Sequence, residues 1–173
     1  RTLEGAPWLE HAERIGGAAR RARSDVQIVV NRRIDVALVV GADGVHLGFD
    51  AMAIADTRAL VGPKALIGFS AHDPGAVRAA LAAGADYVHL APIFAPLSKP
   101  ATRAPLGLAT LAEACRTGAR VIAQGGVEAT NARAVIEAGA AGVAVTGALL
   151  SAPDPGEATR CLREALDAAR PPG

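Results

Sequence analysis

The phrase GADGVHL at residues 41–47 returns as GADYVHL at 84–90 and, more loosely, as GAAGVAV at 139–145. No other feature of the sequence restricts the fold as strongly. Each copy begins with Gly-Ala just after an Ala- or Val-rich amphipathic stretch and runs into a short β-type segment. Glycine there suits the position just past a helix C-terminus, where a left-handed backbone costs it little. The V-H-L or V-A-V that follows suits a buried strand. The phrase therefore reads as a helix-to-strand joint, and its recurrence predicts a fold that repeats one β-α unit.

Reading outward from the joints predicts strands at 25–30, 44–47, 65–72, 87–93, 120–126 and 142–149. Helices are expected at 6–23, 33–42, 53–62, 73–85, 108–118, 129–140 and 154–170. Asp73 and Asp154 are expected N-caps, each followed by proline at the first helical position, with Glu157 completing a capping box. Strict alternation requires parallel strands joined by right-handed crossovers. An open doubly wound sheet and a (β/α)₈ barrel both meet this pattern. Six β-α units are two strands short of a barrel, and an arc of six would leave two parallel edges uncovered. Residue 1 is Arg and the only Met is Met52, so two strands and one helix are expected upstream. Residues 1–173 then form one N-terminally incomplete domain.

Composition narrows the function. Of 173 residues, 51% are hydrophobic but only 3% aromatic, which suits layered Ala- and Val-rich α/β packing. The formal charge is +1, from 18 basic and 17 acidic residues, without the basic stripe of a duplex-binding protein. No nucleic-acid partner is expected. The longest apolar run, 138–153, is broken by glycines, and no membrane span or signal peptide is read. A cytoplasmic location follows as the expectation. Cys115 and Cys161 stand apart in helix-like segments, without metal-ligand spacing, and read as reduced structural residues.

Ligands of parallel α/β proteins gather beyond the C-terminal ends of strands. Those ends carry Asn31-Arg32-Arg33, Gly48-Phe49-Asp50, Ser70 with His72, the loop 94–107, Gln124-Gly125-Gly126 and Thr146-Gly147-Ala148. Gly125-Gly126 precedes a helix, and Thr146-Gly147 closes the next strand. Both allow backbone N–H groups to approach a phosphate, though either pair also reads as a tight turn. The loop 94–107 is long enough to suggest function and holds Ser98 and Lys99. Sixteen of the 18 basic residues are Arg, so a Lys in this loop is not drawn from a Lys-rich surface. His46 and His89 hold equivalent places in the repeated phrase; hydrogen-bonding histidines between strands are favoured over a metal pair. Ser70 and His72 lack an orienting acid, which argues against a hydrolase.

Taken together, GADGVHLG, IGFSAH, GADYVHLAPIF, SKP, APLGL, AQGGV and GAAGVAVTGAL resemble, in order and spacing, the thiamine phosphate synthase and thiazole tautomerase family over residues 25–150. The resemblance implies a TIM (β/α)₈-type barrel with six β-α units in this chain. It implies a transferase of thiamine biosynthesis. That enzyme couples hydroxymethylpyrimidine pyrophosphate to thiazole phosphate and releases pyrophosphate. The C–O bond breaks, the electron-rich pyrimidine stabilises the cation, and the thiazole nitrogen attacks. The implied partners are small phosphorylated pyrimidine and thiazole substrates and Mg²⁺, with homo-oligomerisation left open. Position by position, Ser70, Ser98 and Lys99 match catalytic residues. Asn31, Arg33, Gly125, Gly126, Thr146 and Gly147 match substrate-binding ones, and Arg1 falls on a basic motif at the end of an upstream strand.

The departures from the pattern lie at the metal. Arg32 stands where the family has an acidic ligand, Ala51 where it has a second, Phe49 where it has Gln, and Pro96 where it has Thr. Asp50, one position early, is the sole metal candidate. Ala91 or Pro92 stands where the tautomerase branch places its His. The thiazole phosphate half thus reads as intact and the pyrophosphate–metal half as altered. The transferase is the leading expectation. A divergent tautomerase-like isomerase and a non-catalytic phosphate-ligand-binding barrel are the alternatives.

Overall fold

The three glycines that open the repeated phrase all take positive φ: +59° at Gly41, +94° at Gly84 and +100° at Gly139. Each is thus the left-handed stop the sequence required. At the first joint Ala42 N–H donates to Ala37 O at 2.9 Å, and at the third Ala140 N–H donates to Val135 O at 3.3 Å. These bonds satisfy carbonyls left over at a helix end and turn the chain toward a strand.

The computed structural model describes residues 6–95 and 103–169. They fall into two compact units: residues up to Phe69 with Ala83–Ala85, and Ser70–Ala82 with residues from Asp86 onward. The first carries α1 (Ala6–Ala22), β1 (Val29–Asn31), α2 (Ile34–Val39), β2 (Gly44–Leu47), α3 (Ile54–Val61) and most of β3 (Leu66–Ala71). β1 pairs in parallel with β2, Asn31 opposite His46, and β2 with β3, from Gly44↔Leu66 to Leu47↔Phe69. All four β2 residues are buried, so both faces of that strand are covered. Asp43, inside the first joint, ties the unit together: Oδ2 accepts from Ile28 N–H at 2.7 Å and from Arg20 of α1 at 3.0 Å.

The second unit carries the end of β3, then α4 (Pro74–Ala82), β4 (Tyr87–Leu90), α5 (Gly107–Cys115), β5 (Val121–Gln124), α6 (Ala129–Glu137), β6 (Gly142–Ala144), α7 (Gly147–Leu150) and α8 (Pro155–Ala168). β4 pairs in parallel with β5, and β5 with β6. Ala91 N–H donates to Ala71 O at 3.2 Å, which sets the end of β3 beside the end of β4. Leu90, Ile93, Leu111, Ala114, Val121, Ala123 and Val135 are fully buried. Burying one Leu or Val side chain contributes roughly 1.5–3 kcal/mol. α6 packs on α8, and α4 on α5.

Three local expectations are corrected. The strand expected at 25–30 forms only at Val29–Asn31, because Asp25 is taken by Arg23 at 2.6 Å, holding the preceding segment in a turn. The strand expected through 149 ends at Ala144, and Gly147–Leu150 coils into α7. Short apolar runs do not distinguish strand from helix by period. The box expected at 154–157 is one-sided: Asp154 accepts from Glu157 N–H at 3.0 Å, while the Glu157 carboxylate bonds Arg160 and Cys161 instead. Asp73 caps α4 as expected, accepting from Ala76 N–H at 2.8 Å. Among the described residues, no helix is long and apolar enough to cross a membrane.

Candidate active site

In the second unit, β5 and β6 run side by side with Gln124 opposite Ala144. Gly125-Gly126 and Thr146-Gly147 therefore leave the same end of neighbouring strands, whose backbones stand about 4.8 Å apart. Gly125 and Gly126 take φ of +91° and +62°. Their bare Cα atoms also admit close neighbours. A Cβ on Gly125 would stand 2.8 Å from Pro92 Cα, and one on Gly126 would stand 2.7 Å from Phe94 Cβ and overlap Ala95 O. The chain after β4 folds over the turn, with Ile93 N–H donating to Gln124 O at 2.8 Å and Phe94 N–H to Gly125 O at 3.0 Å. The diglycine thus has a packing role that sequence alone did not reveal. Among the described residues, no acceptor pairs with the N–H of Gly125 or Gly126. α7 opens at Gly147 beside them. Backbone N–H groups at two such strand ends are able to approach an anion.

Asn131 holds this turn. Its Nδ2 donates to Gly126 O at 2.9 Å, and its Oδ1 accepts from Glu128 N–H at 3.0 Å. Sequence reading passed over it; the detectable signal was the capping-box spacing of Glu128 and Asn131. His89 lies within 3.1 Å of Gln124 Oε1 through Nδ1, so β4 and the end of β5 are bridged as expected of a structural histidine. Burial pushes its pKa down, partly offset by the Gln124 bond. His72 donates from Nδ1 to Ala91 O at 2.7 Å, a tether to the end of β4 rather than a dyad with Ser70. Ser70 is half-buried within β3.

In the first unit, Asn31 ends β1 and is exposed. Arg32 follows with φ +66°, alone among the described non-glycine residues at positive φ. Its N–H donates to His46 O at 2.8 Å, and Arg33 N–H donates to Asn31 O at 2.8 Å, which reverses the chain. The Arg32 guanidinium reaches over Gly48 and bonds Asp50 Oδ2 at 2.5 Å. That bond holds the Asp50 carboxyl below its ordinary range. Arg33 forms a two-pronged bond to Asp35 at 2.8 and 2.6 Å, which holds the Asp35 carboxyl at about 2.

Mg²⁺ requires near-octahedral oxygen donors. The Asp50 carboxylate is engaged by a guanidinium, and among the described residues no three His, Cys, Asp or Glu side chains converge to hold a metal. These residues do not fit the ion. Arg1, Ser98 and Lys99 lie outside the described residues, as does Pro96.

A family model described as thiamine monophosphate synthase matches residues 1–149. The chain is 43% identical over 165 residues to a thiamine biosynthesis bifunctional protein of Symbiobacterium thermophilum, covering 94% of this chain and 34% of that protein. It is also 43% identical over 145 residues to a thiamine-phosphate synthase of a Roseiflexus species, covering 83% of this chain and 61% of the relative. The chain thus spans less than two thirds of the length of these relatives. A solved thiamine phosphate pyrophosphorylase from Pyrococcus furiosus is 31% identical with a TM-score of 0.84, covering 98% of this chain and 82% of that one. The fold class is accordingly α/β of the TIM-barrel type, one of the two architectures the β-α alternation left open and the one the family resemblance implied.

Proposed function

The chain belongs to the thiamine monophosphate synthase family, and from that premise we propose that it serves the joining of hydroxymethylpyrimidine pyrophosphate to thiazole phosphate in the cytoplasm. One observation carries the reading most: Gly125-Gly126 and Thr146-Gly147 emerge at the same end of register-paired β5 and β6, beside the start of α7. Backbone N–H groups in that arrangement hold a phosphate dianion without a titrating side chain. They would anchor thiazole phosphate and so orient its nitrogen.

The chemistry asks the protein for charge stabilisation on departing pyrophosphate. The C–O bond to the pyrimidine methylene breaks and its electron pair leaves with pyrophosphate. The thiazole nitrogen then forms the C–N bond. Ser98 and Lys99 are proposed to bind the leaving group and Ser70 to contribute to the same step. Asn31 and Arg33 are proposed for the pyrimidine substrate, with Arg1 as a further substrate-binding residue. The assignment of residues 1–173 to a single domain belongs to this proposal.

Pyrophosphate release from the two substrates tests the reading. Lys99→Ala should slow it by about 10²–10³-fold, the usual cost of one preorganised charge donor. Absence of release together with tight thiazole phosphate binding would favour the second reading, a phosphate-ligand-binding barrel. Ala51, which brings no carboxylate where the family has a metal ligand, is the observation that favours that alternative.

A further inference from the structure

We infer that Arg32 is a built-in cation that replaces a divalent metal, so that this chain binds pyrophosphate without Mg²⁺. The inference rests on the proposed synthase reading, because a departing pyrophosphate is what makes a cation necessary at this strand end. Three observations carry it. First, Arg32 holds a left-handed backbone, which a non-glycine residue rarely adopts, and such outliers persist only where the surroundings over-determine them. Two backbone bonds do so here, Arg32 N–H to His46 O and Arg33 N–H to Asn31 O, both at 2.8 Å.

Second, the guanidinium is aimed rather than free to sweep. Its Nη1 lies 3.1 Å from where a Gly48 Cβ would stand, and Nη2 is fixed by Asp50 Oδ2 at 2.5 Å. Among the described residues Asp50 is its only acceptor. A guanidinium has five N–H donors in a rigid fork suited to phosphate oxygens, so most remain for an anion. The pair is half exposed, with side-chain accessibilities of 50% and 46%, and an incoming anion can reach it.

Third, the charge count closes without an ion. Two carboxylates with one divalent cation sum to zero, and so do one guanidinium and one carboxylate. Asp50 is thereby already neutralised, and a second cation would meet the guanidinium first.

The test reads metal and anion binding separately from turnover. Electron paramagnetic resonance counts Mn²⁺ bound to the protein. Calorimetry in EDTA measures inorganic pyrophosphate binding to wild type, Arg32→Asn and Asp50→Asn. Asn tolerates the left-handed backbone at position 32, so that variant keeps its fold. Wild type should bind no stoichiometric Mn²⁺ and should bind pyrophosphate in EDTA. Arg32→Asn should weaken that binding by about 10–100-fold, while Asp50→Asn should not weaken it. One Mn²⁺ per chain, lost in Asp50→Asn, would overturn the inference. So would pyrophosphate binding that is absent in EDTA or indifferent to Arg32. Pyrophosphate release from the two substrates, measured alongside, reports on the proposed synthase reading independently of either result.

Discussion

Gly125 lies directly beneath Pro92: a Cβ added to the glycine would stand 2.8 Å from both Pro92 Cα and Pro92 Cβ. The turn after β5 and the segment after β4 are therefore built against each other, and the backbone that is proposed to grip phosphate is also packed.

Gly125→Ala should fail on both counts. The backbone φ of +91° is unsuited to a side chain, and the methyl group has no room. We expect a loss of about 2–4 kcal/mol in urea unfolding, combining backbone strain with overpacking. Thiazole phosphate affinity measured by calorimetry should fall with it. A variant as stable as wild type would show that the 92–95 segment does not press on the turn.

Asp43 should make the first unit acid-sensitive. Its carboxyl is held below the ordinary range by the Ile28 N–H bond first and by Arg20 after it. A depressed folded-state pKa favours the ionised form, so its contribution is present above the unfolded value, roughly 3.9, and is lost as pH falls through the folded value. Asp43→Asn should flatten the decline of melting temperature below about pH 4. An unchanged acid limb would remove Asp43 from that role.

His89 predicts a second, milder pH step. Burial lowers its pKa, so the neutral ring is the one the fold accepts. Stability should be complete above the unfolded value of about 6.5 and decline as pH drops toward the folded value. His89→Gln should abolish this step while leaving the one below about pH 4, as thermal melts across the range would show.

Asp154 caps α8 through Glu157 N–H, with Pro155 at the first helical position. Asp154→Ala should cost about 1 kcal/mol in chemical denaturation, the typical value for a lost cap. A zero effect would mean that packing of α8 on α6 alone maintains that helix end.

The β-α order, the parallel pairing and the left-handed glycines at 41, 84 and 139 were all legible in the sequence, because they depend on local period and on backbone freedom. So were the strand ends that carry the candidate site, since parallel alternation sends every such end the same way. What tertiary structure alone decided lies between residues distant along the chain. The folding of Pro92–Ala95 over the diglycine and the meeting of Arg32 with Asp50 are such contacts. The four residues of α7 belong with them, for a run too short to show a period takes its form from what surrounds it. Composition and spacing nominate side chains for a site; which of their atoms touch depends on where the backbone turns, and at Arg32 that turn runs against the residue's own preference.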